Sequence, residues 1–100
     1  MKYVIEWHPH NGGSAQENLM SSKRSLEVLS KWSPATTMHQ FVARLDPGHG
    51  YAVVESDDPA AVAKDAAIFA PFLEVSVHEV MDMQDSVGAL QQAIDFTEHA

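Results

Sequence analysis

MKYVIEWHPHNGGS, residues 1–14, predicts a strand, a glycine loop and the start of a helix. The strand has a period of two, with Tyr3, Ile5 and Trp7 on one face and Val4, Glu6 and His8 on the other. Pro9 closes it, because proline cannot donate to a sheet ladder. Ser14 and Glu17 have the spacing of a capping box and predict a helix that reaches about Trp32.

The rest of the chain predicts two strands, a helix, a further strand and an added helix. In order, these are a hairpin over residues 36–56, a helix from Asp58 to Pro71, a strand from Phe72 to Met81, and a helix from Asp82 or Asp85 to about Glu98. This order is the split βαβ, or ferredoxin-like, α+β arrangement with an additional C-terminal helix. We therefore expect one domain over residues 1–100, with the first strand inside a four-stranded antiparallel sheet.

Composition narrows the class of protein. Fourteen acidic and six basic side chains give a formal charge of −8, which argues against nucleic-acid binding. The absence of cysteine excludes a disulfide framework, a thiolate metal site and a cysteine nucleophile. The apolar run at the N-terminus is too short for a signal peptide or a membrane span, so we expect a cytoplasmic protein without membrane contact.

The ferredoxin-like arrangement places both main helices on one face of the sheet and leaves the other face bare. This open face is expected to carry apolar and titratable side chains from three strands: Val4, Glu6, His8, Tyr51, Val53, Glu55, Ser76, His78 and Val80. Such a half-apolar face is too large to remain exposed to solvent on a monomer. We therefore expect a homodimer that pairs through the sheet face and encloses a lumen.

Several stretches resemble the DUF3303 family, and together they span nearly the whole chain: Lys2–Trp7, Gly12–Ser14, His39–Arg44, Gly50–Pro59 and Phe69–Phe72. The resemblance implies a small bacterial protein related to the dimeric α+β barrel superfamily. That superfamily includes cofactor-free monooxygenases, lactone isomerases, haem-dependent enzymes and ligand-binding modules. It implies no catalytic residues, since the family is named for its unknown function, and fold alone does not choose among these activities.

The first candidate site is acid–base: Glu6, His8, Glu55 and His78 share one parity of the sheet and can converge on the lumen. A carboxylate would serve as base and an imidazole, which titrates near neutrality, as proton shuttle. The competing interpretation is a structural polar cluster, or an ion pair with Arg44, at the dimer centre.

The second candidate is a metal site, for which His8, His78 and Glu6 are the best ligands. Six histidines are many for this length, but their spacing matches no metal signature, and scattered structural histidines are favoured.

The third candidate is an anion at the loop of residues 11–14, which lacks the Gly spacing of a dinucleotide loop and the Lys of a P-loop. An ordinary strand-to-helix turn is the better interpretation.

The fourth candidate is aromatic. Most aromatic side chains lie at core periodicity, and Tyr51 is the best candidate to line a pocket between the sheet and the helices, with Trp7 and His39 as further ligand-binding residues.

The leading hypothesis is a small-molecule-binding protein, or a cofactor-free enzyme acting on a small, partly apolar or aromatic compound, with its pocket lined by the polar face of the first strand. The alternatives are a non-enzymatic dimeric or regulatory module with a packed lumen, and a His/Glu metal-binding protein.

Overall fold

The computed structural model describes residues 1–10 and 12–100. Its elements are β1 (Lys2–Pro9), α1 (Ala15–Lys31), β2 (Thr37–Ala43), β3 (Gly50–Glu55), α2 (Pro59–Phe69), β4 (Leu73–Val80) and α3 (Met83–His99). The predicted elements are confirmed, with bounds that differ by a few residues at most.

The four strands form one sheet in the order β2-β3-β1-β4, and every neighbouring pair is antiparallel. This confirms the ferredoxin-like fold and places β1 between β3 and β4. The register puts Ile5 opposite Ala52 and Val77, and Glu6 opposite Tyr51 and Ser76. The odd residues of β1 therefore face the helices, and Glu6 lies on the opposite, open face.

Local chemistry explains where the main helices begin. The Ser14 hydroxyl accepts from the Glu17 amide at 3.1 Å, and the Glu17 carboxylate accepts from the Ser14 amide at 3.3 Å, so the predicted capping box is confirmed. Before it, Gly12 and Gly13 adopt φ of +94° and +80°, which side-chain-bearing residues rarely take. Asp58 caps α2 through the Ala60 amide at 3.0 Å.

A β-bulge in β2 changes the predicted alternation of that strand. Met38 lies opposite Val54 and Gln40 opposite Val53, so His39 is the extra residue. Strict alternation over the hairpin residues would place Phe41 on the face of His39 and opposite Met38, which the register of the structure contradicts. The bulge turns Phe41 onto the helical face together with Met38.

The fully buried core is small, consisting of Ile5, Ala52, Val54 and Val62. The chain is elongated, with principal extents of 62 × 27 × 22 Å. Every residue from 81 to 100 is exposed, so α3 extends away from the sheet. No helix in the described part of the chain is both long and apolar enough to cross a membrane.

Candidate functional site

An apolar cavity of about 320 Å³ lies between the helical face of the sheet and the helices α1 and α2. Its floor is formed by the sheet, through Ile5, Trp7, Met38, Phe41, Ala52, Val54, Leu73 and Val75. Its walls come from the helices, through Ser22, Ser25, Leu26, Leu29, Trp32, Asp65, Ala66 and Phe69. A volume of this size and an apolar lining are typical of small-molecule sites.

The cavity exists because α1 does not bury its apolar stripe against the sheet. One side of α1 carries residues at helical spacing, Ala15, Leu19, Ser22, Leu26 and Leu29, yet α1 has no buried residue. Leu26 is 65% exposed and borders the cavity. The half-buried residues of α1 are instead Ser21, Ser25 and Val28, on a neighbouring face. The space that leucines would otherwise fill is left open.

Four aromatic rings form a chain along one side of the cavity. Phe41 lies 5.4 Å from Trp7 and 5.9 Å from Trp32, and Trp32 meets Phe69 edge-on at 5.1 Å, measured between ring centroids. Separations of this kind are favourable for aromatic pairs. The rings offer flat apolar surfaces and, on Trp7, an indole N–H group, whereas the indole N–H of Trp32 donates to Asp65.

The cavity holds one carboxylate, Asp65, which is 3% exposed. Its oxygens accept from Trp32 Nε1 at 3.3 Å, the Ala35 amide at 3.0 Å, and the Thr36 amide and hydroxyl at 3.2 and 2.9 Å. These bonds tie α2 to the segment that joins α1 and β2. The charge is therefore balanced by convergent N–H and O–H dipoles, as a buried ion requires.

The predicted aromatic and polar lining of the cavity needs correction. Trp7 lines it, but Tyr51 does not, because Tyr51 lies opposite Glu6 on the open face. The cavity also faces the apolar side of β1, through Ile5 and Trp7, and not the polar side that carries Glu6. The reason is the strict alternation of a strand: one residue of offset moves a side chain to the other face.

Two carboxylate–imidazole pairs on the open face involve the predicted site residues. His78 Nε2 lies 3.5 Å from Glu6 Oε2, and His39 Nε2 lies 2.7 Å from Glu55 Oε1. The hydrogen bond from His39, aided by its charge and opposed by partial desolvation, lowers the pKa of Glu55. All four side chains are about half exposed in this single chain. The pairs can hold or pass a proton only to a group that reaches the open face.

His8 does not join either pair. Its ring stacks on that of His49, with centroids 6.2 Å apart, and its Nδ1 lies 3.2 Å from the carbonyl oxygen of Pro9. Arg44, the alternative partner considered for the carboxylates, instead binds Asp46 at 2.8 Å. Among the described residues, 1–10 and 12–100, no three His, Asp or Glu side chains group as metal ligands would. Asn11, part of the loop considered for an anion, lies outside the described residues.

The sequence interpretation did not identify Asp65 as part of the site. One signal was available, since Asp65 falls between Val62 and Phe69 on the buried stripe of an alanine-rich helix. A lone carboxylate on such a stripe must find donors inside the protein. The residues that donate to it, 30 or so positions earlier in the chain, carry no pattern that could be recognised in advance.

Comparison with known proteins identifies a family but no activity. A putative antibiotic biosynthesis monooxygenase from Deinococcus radiodurans is similar in structure at 12% sequence identity, with a TM-score of 0.46 over 82% of this chain and 94% of that one. The comparison with curated proteins gives no match. The family model of DUF3303, a domain of unknown function, matches residues 1–94. The chain therefore belongs to the DUF3303 family.

Proposed function

We propose that this protein binds a small, apolar, aromatic molecule in the cavity between the sheet and the helices α1 and α2. The observation that carries the proposal is the open volume of about 320 Å³ beside four aromatic rings. Among residues 1–10 and 12–100, only four apolar side chains are buried. An unfilled apolar space normally costs stability, so a domain with a thin core gains from an occupant. The rings favour a flat ligand, which can stack on them.

The polar groups around the cavity limit what the ligand can be. Asp65 already accepts hydrogen bonds on both oxygens, one of them from the Trp32 indole N–H. The other polar groups on the lining are the hydroxyls of Ser22 and Ser25 and the indole N–H of Trp7. A neutral molecule with one hydroxyl or carbonyl group fits this inventory. An anion would meet the Asp65 carboxylate and a net charge of −8.

A titration with 1-naphthol tests the proposal. We expect saturable quenching of tryptophan fluorescence, with a Kd of roughly 0.1–1 mM for a fragment of this size. Ala66→Phe places a ring in the cavity from α2 and is expected to abolish binding. Ala67→Phe is the matched control, because Ala67 is exposed on the same helix and does not line the cavity. Equal binding by both variants would refute the cavity as the site.

A second candidate function is acid–base chemistry on the open face, in the lumen of a homodimer. It is supported by the Glu6–His78 pair at 3.5 Å, with Glu6 as base and His78 as shuttle, and by the His39–Glu55 pair beside it. The half-buried Val4 and Val53 on this face favour pairing with a second copy. Val53→Lys is then expected to shift the protein toward monomer in sedimentation, whereas Ala63→Lys, on the exposed side of α2, is not.

The two candidate functions place the ligand on opposite faces of β1, so chemical-shift mapping separates them. Shifts induced by 1-naphthol at Trp7, Ala52 and Ala66 support the cavity. Shifts confined to Glu6, Tyr51 and His78 support the open face and contradict the cavity proposal. The sheet lies between these sets, so direct contact with one ligand molecule reaches only one of them.

A further inference from the structure

The helix α3 carries an apolar seam that none of the described residues of its own chain covers. Met83, Val87, Leu90 and Ile94 follow at spacings of four, three and four, and they are 76%, 57%, 60% and 40% exposed. Asp82 precedes the helix without a side-chain cap bond, and Gly88, a poor helix former, lies within the helix. A lone helix of 17 residues with these weaknesses is marginal in water and needs a surface to pack on.

A matching seam lies on α1. Ala15, Leu19, Ser22, Leu26 and Leu29 follow at spacings of four, three, four and three, and α1 is also 17 residues long. Leu19 is 55% exposed, and Leu26 and Leu29 border the cavity. Both seams have the 4-3-4 spacing of the a and d positions of coiled coils, with Ser22 the one polar residue in the α1 seam, and helices with this spacing can interdigitate along their length.

Charge also favours this pairing. α1 carries three of the six Lys and Arg residues of the chain, Lys23, Arg24 and Lys31, against two acidic residues, Glu17 and Glu27, so its net charge is +1. α3 carries none and has acidic side chains at Asp85, Asp95 and Glu98. The most basic helix and an acidic helix therefore both present exposed leucine-containing seams, and opposite charge favours their approach.

The position of α3 points to a second copy as the partner. α3 begins at the end of the sheet where Val80 pairs with Lys2, and the Lys2 ammonium binds Asp82 at 2.8 Å. Trp7 and Leu73, at the cavity, lie at the opposite end of the sheet. The 62 Å length of the chain reflects a helix directed away from its own body. α3 therefore points away from the α1 seam of its own chain.

We infer that α3 is an exchanged arm, which packs its seam on the α1 seam of a second copy and closes the cavity of that copy. Reciprocal exchange places two 17-residue helix contacts in one dimer, and stable protein interfaces bury about 1,200–2,000 Å² of total surface. Leu90 or Val87 of the arm then covers the gap beside Leu26. The docking itself does not depend on the proposed function; only the closing of a ligand-occupied cavity rests on it.

The absence of native cysteine allows a direct test. Two single-cysteine variants, Leu26→Cys and Val87→Cys, are mixed and treated with a short bis-maleimide. We expect a cross-linked dimer that contains one chain of each variant, and little product from either variant alone. A double variant that yields only a cross-linked monomer would show that α3 folds back on its own α1, and would overturn the inference.

Oligomeric state gives the second measurement. Leu90→Asp places a charge in the seam, and Gln92→Asp places the same charge on the opposite side of α3. We expect Leu90→Asp to weaken dimerisation at least about 100-fold and Gln92→Asp to leave it nearly unchanged. A monomeric wild type, or a dimer insensitive to Leu90→Asp, would overturn the inference. Unchanged circular dichroism of the sheet confirms that Leu90→Asp still folds.

The 1-naphthol titration separates the two proposals. If the cross-link forms but neither the wild type nor Leu90→Asp binds 1-naphthol, the exchanged arm stands and the cavity proposal fails. If 1-naphthol binds in a protein that does not cross-link, the cavity stands and the arm inference fails. When both hold, we expect Leu90→Asp to release 1-naphthol faster than Gln92→Asp, because the cavity of the separated chain is open.

Discussion

Replacing Asp65 with alanine tests whether this carboxylate holds the site together. The substitution removes acceptors from Trp32 Nε1 and from the amide and hydroxyl of Thr36, all of them half-buried, and from the exposed Ala35 amide, which water can satisfy. Hydrogen bonds to a charged group contribute about 1.5–3 kcal/mol each, and orphaned buried donors add to the loss. Two such bonds give about 3–6 kcal/mol.

The loss is large against the whole stability of a domain of this size, which is about 5–15 kcal/mol. At about 4–8 °C for each kcal/mol, the midpoint of thermal unfolding falls by about 15 °C or more. Urea unfolding followed by far-ultraviolet circular dichroism measures the free energy, and tryptophan emission, to which Trp7 and Trp32 both contribute, reports on the cavity. We expect a red shift of that emission, because Trp32 loses its partner and meets water.

Two further variants make the result interpretable. Asp65→Asn keeps the shape and one acceptor but turns an NH₂ group toward N–H donors, so its midpoint should lie between those of the wild type and Asp65→Ala. Asp57→Ala removes an exposed carboxylate whose nearest cation, the N-terminal ammonium, is 3.8 Å away, and should leave the midpoint nearly unchanged. If Asp65→Ala unfolds at the same urea concentration as Asp57→Ala, the structural role assigned to Asp65 is wrong.

Two other predictions concern the root of α3 and the floor of the cavity. The hydrogen bond between Lys2 and Asp82, together with their opposite charges, lowers the pKa of Asp82 from its usual 3.8 and raises the pKa of Lys2 from its usual 10.5. Asp82→Asn should therefore unfold at a lower temperature than the wild type at neutral pH. This difference should vanish as acid protonates Asp82 or as strong base deprotonates Lys2. A difference that does not depend on pH would contradict the pairing. A Cβ at Gly50 would overlap the ring of Trp7, so Gly50→Ala should lower the free energy of unfolding by about 1–3 kcal/mol and shift tryptophan emission. A Cβ at Gly88 in α3 would meet open space, so Gly88→Ala should raise the free energy of unfolding in urea by about 0.5–1 kcal/mol. A Gly50→Ala protein as stable as the wild type would show that the ring moves aside at no cost.

The element order could be predicted because its signals are local. The Ser14–Glu17 box, the Asp58–Pro59 start and the closing Pro71 each act on backbone groups a few residues away, and the structure satisfies them within the same turn. Strand periodicity then assigns faces, and for β1 it assigns them correctly. Nothing distant needs to be known for these steps.

The features that failed depend on distant partners. The bulge at His39 is visible only in the pairing with Val53 and Val54, and it alone brings Phe41 to the cavity. Asp65 finds its donors about 30 residues away. The orientation of α1 is likewise a tertiary matter, because its heptad spacing identifies an apolar stripe without saying what the stripe contacts.

The thin core, the cavity and the exposed seams follow from a single feature. If the leucines of α1 packed on the sheet, the cavity would be filled, and the core would extend beyond Ile5, Ala52, Val54 and Val62. Instead Leu26 lies at the cavity edge, where it can contact both a ligand and a helix from another copy. Any partner that binds only this folded arrangement stabilises it by mass action. Stability, ligand binding and assembly should therefore rise and fall together with substitutions at Leu26, and independently of substitutions at Ala67.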